Sequence, residues 1–130
     1  MANLRGESVL FFGDEAVDDT GVYSNAGYPG AMVNVAILIS NTGSDAATVT
    51  FQVAGGPPAA GRNPDMSTVT WHDLIDKADT ANTSKVTLPV AAGASVALDL
   101  SPFSPPYLRL FAITGASDAT TLEAVMVANG

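Results

Sequence analysis

Over residues 30–54, GAMVNVAILISNTGSDAATVTFQVA, apolar side chains recur at every second position on both sides of a short polar interruption. Val33, Val35, Ile37 and Ile39 share one face of an extended chain. Beyond the interruption Val49, Phe51 and Val53 do the same, with Thr48, Thr50 and Gln52 on the other face. This period is incompatible with a helix, whose apolar stripe recurs every three or four residues. The stretch therefore predicts two strands. Asn41, Thr42, Gly43, Ser44 and Asp45 between them bond their own backbone or accept positive φ, so the strands are expected to pair as a hairpin. Met32, Ala36 and Leu38 fill the second face of the first strand, broken only by Asn34, which predicts an interior strand partly covered on both sides.

The rest of the chain repeats the pattern in shorter runs. Residues 8–12 predict a first strand, with Val9 and Phe11 on one face and Leu10 and Phe12 on the other. Residues 13–30, GDEAVDDTGVYSNAGYPG, hold no sustained period and read as a long loop or arm. The segment GGPPAAGRNP at 55–64 leaves the sheet, because adjacent prolines donate no N–H. TVTWHDLIDKAD at 68–79 alternates through Val69 and Trp71 and reads as a strand followed by a turn. Residues 85–90 and 95–100 predict a second hairpin across AAGA, with Val96, Leu98 and Leu100 inward. SPFSPP at 101–106 interrupts pairing. YLRLFAIT at 107–114 then sets Leu108, Leu110 and Ala112 against Tyr107, Arg109, Phe111 and Ile113, and residues 121–127 form another strand.

About eight short antiparallel strands without a long helix predict an all-β chain, a β-sandwich of jelly-roll or Ig-like type. It is expected to be one domain, 1–130, with 1–30 as a partly extended N-terminal strand and arm. The expected core is Val33, Val35, Ile37, Ile39, Val49, Phe51, Val53, Val96, Leu98, Leu100, Leu108 and Leu110.

Charge and composition narrow the function. Thirteen acidic residues against five basic give a net charge of −8, which repels polyphosphate and sets nucleic acid aside as a partner. The absence of cysteine removes a disulfide framework and a thiolate metal site. The apolar run 9–12 is shorter than the hydrophobic region of a signal peptide, and no run approaches the ~18 residues of a membrane helix. A protein made in the cytoplasm, with no membrane partner, is expected.

The residues that carry chemistry do not assemble into a catalytic set. His72 is the only histidine; it lies between Trp71 and Asp73 with no nucleophile elbow elsewhere, and an ordinary surface or half-buried histidine is the better reading. Asp14, Glu15, Asp18 and Asp19 form the one carboxylate cluster, of a kind calcium binds, but the spacing matches no EF-hand loop and a solvated loop is preferred. GGPPAAG lacks the Lys-Ser/Thr ending of a phosphate loop. Neither an enzyme nor a cofactor is expected. Arg109, basic within an apolar strand, is expected to pair with Glu123 if their strands are neighbours. Tyr23 and Tyr28 offer an aromatic contact platform.

In the C-terminal half, the Ala-Gly-Ala turn at 92–94 precedes a Val-x-Leu-x-Leu strand, Tyr107-Leu108-Arg109-Leu110 follows, and a terminal strand ends in Val127-Ala128-Asn129-Gly130. Over about a third of its length the chain thereby resembles small all-β auxiliary capsid proteins of tailed bacteriophages, the cement or decoration class. The resemblance implies a virion structural protein, assembled in the host cytoplasm and bound to the capsid exterior. Its implied partner is the major capsid protein, and its implied state a homo-oligomer, often a trimer. The contacts are expected from the arm, through Asn3, Leu4, Arg5, Tyr23 and Tyr28, and from the loop after residue 54, through Pro57, Pro58 and Arg62. The alternatives are a tail or neck component of the same virion, and a carbohydrate-binding or adhesion module using Trp71, Tyr23, Tyr28 or Tyr107.

Overall fold

The computed structural model describes residues 6–27, 34–55, 69–81, 83–103 and 107–129, with side chains from residue 9 onward. Among the described residues nine strands make up the regular structure: β1 (Gly6–Asp18), β2 (Val22–Tyr23), β3 (Asn34–Asn41), β4 (Ala47–Ala54), β5 (His72–Asp73), β6 (Thr87–Val90), β7 (Ser95–Asp99), β8 (Tyr107–Thr114) and β9 (Ala119–Asn129). Two antiparallel sheets result. One has the order β1-β9-β3-β7; the other runs β2-β8-β4, with β5 and β6 end to end along the far side of β4. The pairing is nested: β1 with β9, β2 with β8, β3 with β7, and β4 with β5 and β6. One long antiparallel ladder is thus rolled into two layers, which is jelly-roll connectivity. Among the described residues no helix is long and apolar enough to cross a membrane.

The core lies where the period-two pattern puts it. Val35, Ile37 and Ile39 of β3, Val49 and Phe51 of β4, and Leu108, Leu110 and Ala112 of β8 are buried between the sheets, and Leu122, Ala124, Met126 and Ala128 of β9 join them. Burial of each large side chain contributes on the order of 1.5–3 kcal/mol before conformational entropy is subtracted. Val53, Val96, Leu98 and Leu100 are only partly buried and pack against the cluster's margin. Val33 lies outside the described residues.

Neither expected hairpin forms. β3 and β4 belong to different sheets, so residues 42–46 carry the chain across the sandwich as an arch; β6 and β7 are likewise split, β6 on β4 and β7 on β3. Alternating strands joined by a polar turn bury the same faces whether they pair or stack, and here stacking covers both apolar faces at once. β3 is interior as expected, between β9 and β7. Its second face is not covered, however, and Leu38 is 45% exposed.

β1 also departs from expectation. It continues through residues 13–18, which read as loop, because pairing with β9 extends to Asp18↔Ala119. Register shifts between Leu10 and Phe12 and between Phe12 and Glu15 break its alternation. Phe11 and Phe12 are therefore both buried, while Leu10 is exposed. In the segment 68–79 the strand contracts to His72–Asp73, opposite Val53 and Gln52.

Asn41 holds the β3–β4 arch from inside. Only 2% exposed, its Nδ2 donates to Asp45 O (2.8 Å) and Val90 O (3.2 Å), and its Oδ1 accepts from Gly43 N (3.0 Å) and Thr120 Oγ1 (2.6 Å). One side chain thus ties the arch to the ends of β6 and β9. The arch lies so close to β9 that a Cβ on Gly43 would collide with Thr120 Oγ1 and sit 2.7 Å from Thr121 N, which requires glycine there.

Between β5 and β6, Asp79 organises the loop. Its carboxylate accepts from the backbone N–H groups of Ala81 (3.0 Å), Thr83 (2.8 Å) and Ser84 (2.6 Å). Those bonds, led by Ser84, lower its pKa from 3.8 to about 2. Between these values the unfolded chain binds the proton more readily than the folded one, so this contribution is fully present above pH 3.8 and disappears as pH falls through about 2. Denaturation midpoints measured across that window are expected to fall less steeply for Asp79→Ala than for the native chain.

Candidate functional site

The outer face of the five-stranded sheet carries a compact aromatic and charged cluster. Cross-strand partners share a face, so the registers Arg109↔Gln52 and Gln52↔Asp73 align these three side chains across β8, β4 and β5. Tyr23↔Phe111 forms the neighbouring row between β2 and β8. Gly21, at φ 83°, lets the chain entering β2 lie against the Phe111 ring, where a Cβ would come within 2.8 Å of Cε1.

Arg109 is the centre of the cluster. Its guanidinium carbon lies 4.1 Å from the Tyr23 ring centroid and 4.5 Å from that of Trp71, so aromatic rings stack on it from two elements. Its Nε donates to Gln52 Oε1 (2.8 Å), Gln52 Nε2 donates to Asp73 Oδ1 (3.2 Å), and Asp73 Oδ2 is 3.4 Å from Lys85 Nζ. The bond from Gln52 is the main cause that holds the Asp73 carboxyl below the ordinary carboxylate range; desolvation opposes it, and the charge and hydrogen bond of Lys85 add smaller contributions in the same direction as Gln52. Tyr23 leans on Phe111, with centroids 4.7 Å apart at 49°, yet remains 51% exposed. The arginine is thereby fixed in direction by stacking and by Nε, at a face open to solvent.

The expected pairing of Arg109 with Glu123 does not occur. β8 and β9 lie in different sheets, and Glu123 is exposed on the other face of the sandwich, opposite Ser40. Of the expected contact residues, Tyr23 falls in the cluster; Asn3, Leu4, Arg5, Tyr28, Pro57, Pro58 and Arg62 lie outside the described residues. Trp71, named as a glycan platform, joins Tyr23 here. Tyr107, on the same strand and the same alternation as Arg109, is half-buried. Gln52 and Lys85 were not singled out by sequence, since no local pattern marks a polar residue that links an arginine to an aspartate two strands away.

The other candidates disperse. His72 is exposed on β5 opposite Val53. Asp14 and Glu15 sit at the second irregularity of β1, Asp18 accepts from Thr20 N (3.0 Å) and the Thr20 hydroxyl, and Asp19 Oδ2 accepts from Ser117 N (3.1 Å). Among the described residues, no group of three or more His, Cys, Asp or Glu is placed to hold a metal ion. At one side of the sandwich a groove of about 830 Å³ opens between the sheets, floored by Leu74, Val86, Leu98, Leu100 and Phe103.

The fold and this face define a jelly-roll protein with an aromatic–arginine cluster on the outer face of one sheet. No family model and no curated protein matches the chain. Among solved structures it is similar to the crystal structure of PirA, at 14% identity and a TM-score of 0.48, over 96% of this chain and 93% of that one.

Proposed function

We propose that the protein is a virion structural component of the cement or decoration kind, which binds the major capsid protein on the outside of a tailed-phage head and acts as a part of the assembly, not as a catalyst. The observation that carries this reading is the Tyr23–Arg109–Trp71 cluster. Tyrosine, tryptophan and arginine dominate the energetic centres of protein interfaces, and a guanidinium already immobilised by two rings gives up little freedom when a partner carbonyl or carboxylate meets it. The sequence resemblance to auxiliary capsid proteins and the net charge of −8, unsuited to the DNA-filled interior, favour the same reading. Jelly rolls serve in viral capsids and in lectins alike, so the fold by itself does not choose between them. The ring geometry favours protein over sugar: Tyr23 already packs against both Phe111 and Arg109, which leaves its faces poorly placed to stack on a pyranose.

Co-sedimentation with expanded heads tests the assignment. The native chain is expected to pellet with the shells, and Arg109→Ala to bind at least about 30-fold more weakly, equivalent to the ~2 kcal/mol of an interface hot spot. Unchanged binding by Arg109→Ala would remove the cluster from the interface, and specific binding on a glycan array would replace the reading with the lectin one.

A further inference from the structure

We propose that β7 is a pairing edge whose occupant is the β7 of a second copy of this chain, joining two four-stranded sheets across a two-fold axis at Ala97. The edges of this jelly roll are guarded unequally. β1, the opposite edge of the same sheet, is broken by two register shifts and has Asp14 in a left-handed conformation, φ 50°. In the other sheet β2 and β5 span only two residues each, and β6 contains Pro89, which has no N–H to offer. Such irregular, short or proline-bearing edges do not template another strand. β7, Ser95-Val96-Ala97-Leu98-Asp99, has no proline, no lysine and an unbroken register against β3.

The direction of its backbone groups follows from the bonds flanking it. Leu100 N donates to Val35 O and Asn41 N to Ala94 O, each at 2.8 Å. By alternation Val96 and Leu98 direct their N–H and C=O toward β3, while Ser95, Ala97 and Asp99 direct theirs away from the sheet. All three of these residues are exposed.

A second β7 laid antiparallel about Ala97 is complementary at each position. Ala97 faces Ala97 of the second copy, Ser95 faces its Asp99 and Asp99 its Ser95, each pair exchanging both main-chain hydrogen bonds. Carboxylate never opposes carboxylate, and on the inner side Val96 meets Leu98. The outer side offers continuity as well. Leu10, Val125, Leu38 and Ala97 form a single cross-strand row over β1, β9, β3 and β7, and Leu10 and Leu38 are 54% and 45% exposed. Pairing at β7 runs this apolar row straight into its symmetry mate.

Light scattering on the purified protein is expected to give twice the 13.2 kDa chain mass. Ala97→Pro deletes an outward N–H while sparing the bonds to β3, and is expected to give a monomer with an unchanged circular-dichroism spectrum. Because the chain has no cysteine, Ala97→Cys places a single thiol on the axis, and a short bifunctional thiol reagent should link two copies; Ser95→Cys, facing Asp99, should link far less. The cysteine pair decides the matter should the proline variant fail to fold. A monomer at all concentrations, a trimer, a dimer that persists in folded Ala97→Pro, or equal linking of the two cysteine variants overturns the proposal.

Discussion

Replacing Asn41 with alanine is expected to lower the unfolding free energy by about 3 kcal/mol, because partners on three segments lose a buried bond together. The carbonyls of Asp45 and Val90, the N–H of Gly43 and the hydroxyl of Thr120 all meet this one side chain, which is 2% exposed. Water reaches Val90 O and the Thr120 hydroxyl poorly, so those two orphaned groups keep most of their desolvation cost, while Asp45 O and Gly43 N are only partly buried and lose less. Thr120→Val removes one donor and leaves the other contacts in place, and about 1 kcal/mol is expected. Urea denaturation separates the two: the midpoint should fall by roughly 1–2 M for Asn41→Ala and by well under 1 M for Thr120→Val. Equal effects would mean that the arch is not held from inside.

Phe51→Ala is expected to cost still more, about 3–5 kcal/mol, the range found when a buried aromatic ring is removed and its cavity only partly collapses. Phe51 is 1% exposed in the middle of β4, beside Leu110 in register, where both sheets contribute to its surroundings. Against a total stability of about 5–15 kcal/mol, that loss leaves a marginal fold. Leu38→Ala removes a comparable apolar side chain from the outer face of β3, and under about 1 kcal/mol is expected there. The contrast between Phe51 and Leu38, measured by guanidinium denaturation, reads out which faces of the two strands meet.

The period-two pattern made the strands and their buried faces legible in the amino-acid sequence. Leu108, Leu110 and Ala112 alternate in β8 as the residues predict, and Val35, Ile37 and Ile39 do so in β3. Strand pairing was not legible, because it depends on which faces find each other across the whole chain. Residues 41–45 have the chemistry of a hairpin turn and use it to cross between sheets, and the cause is Asn41 reaching Val90 and Thr120, far away in sequence. Phe11 and Phe12 share the core because β1 slips register against β9, which strict alternation does not anticipate. The candidate site was half visible. Tyr23, Trp71 and Arg109 each stood out by residue type, but stacking them together needed the strand order, and the same missing information sent Arg109 to Glu123.

The position of β9 between β1 and β3 has a consequence for biosynthesis. Both neighbours leave the ribosome well before Ala119 does, and until then neither has the strand that joins them. Until residues 119–129 have been made, the four-stranded sheet lacks its joining strand, and the apolar faces of β1 and β3 that carry Phe11, Phe12, Val35, Ile37 and Ile39 have no common layer in which to close.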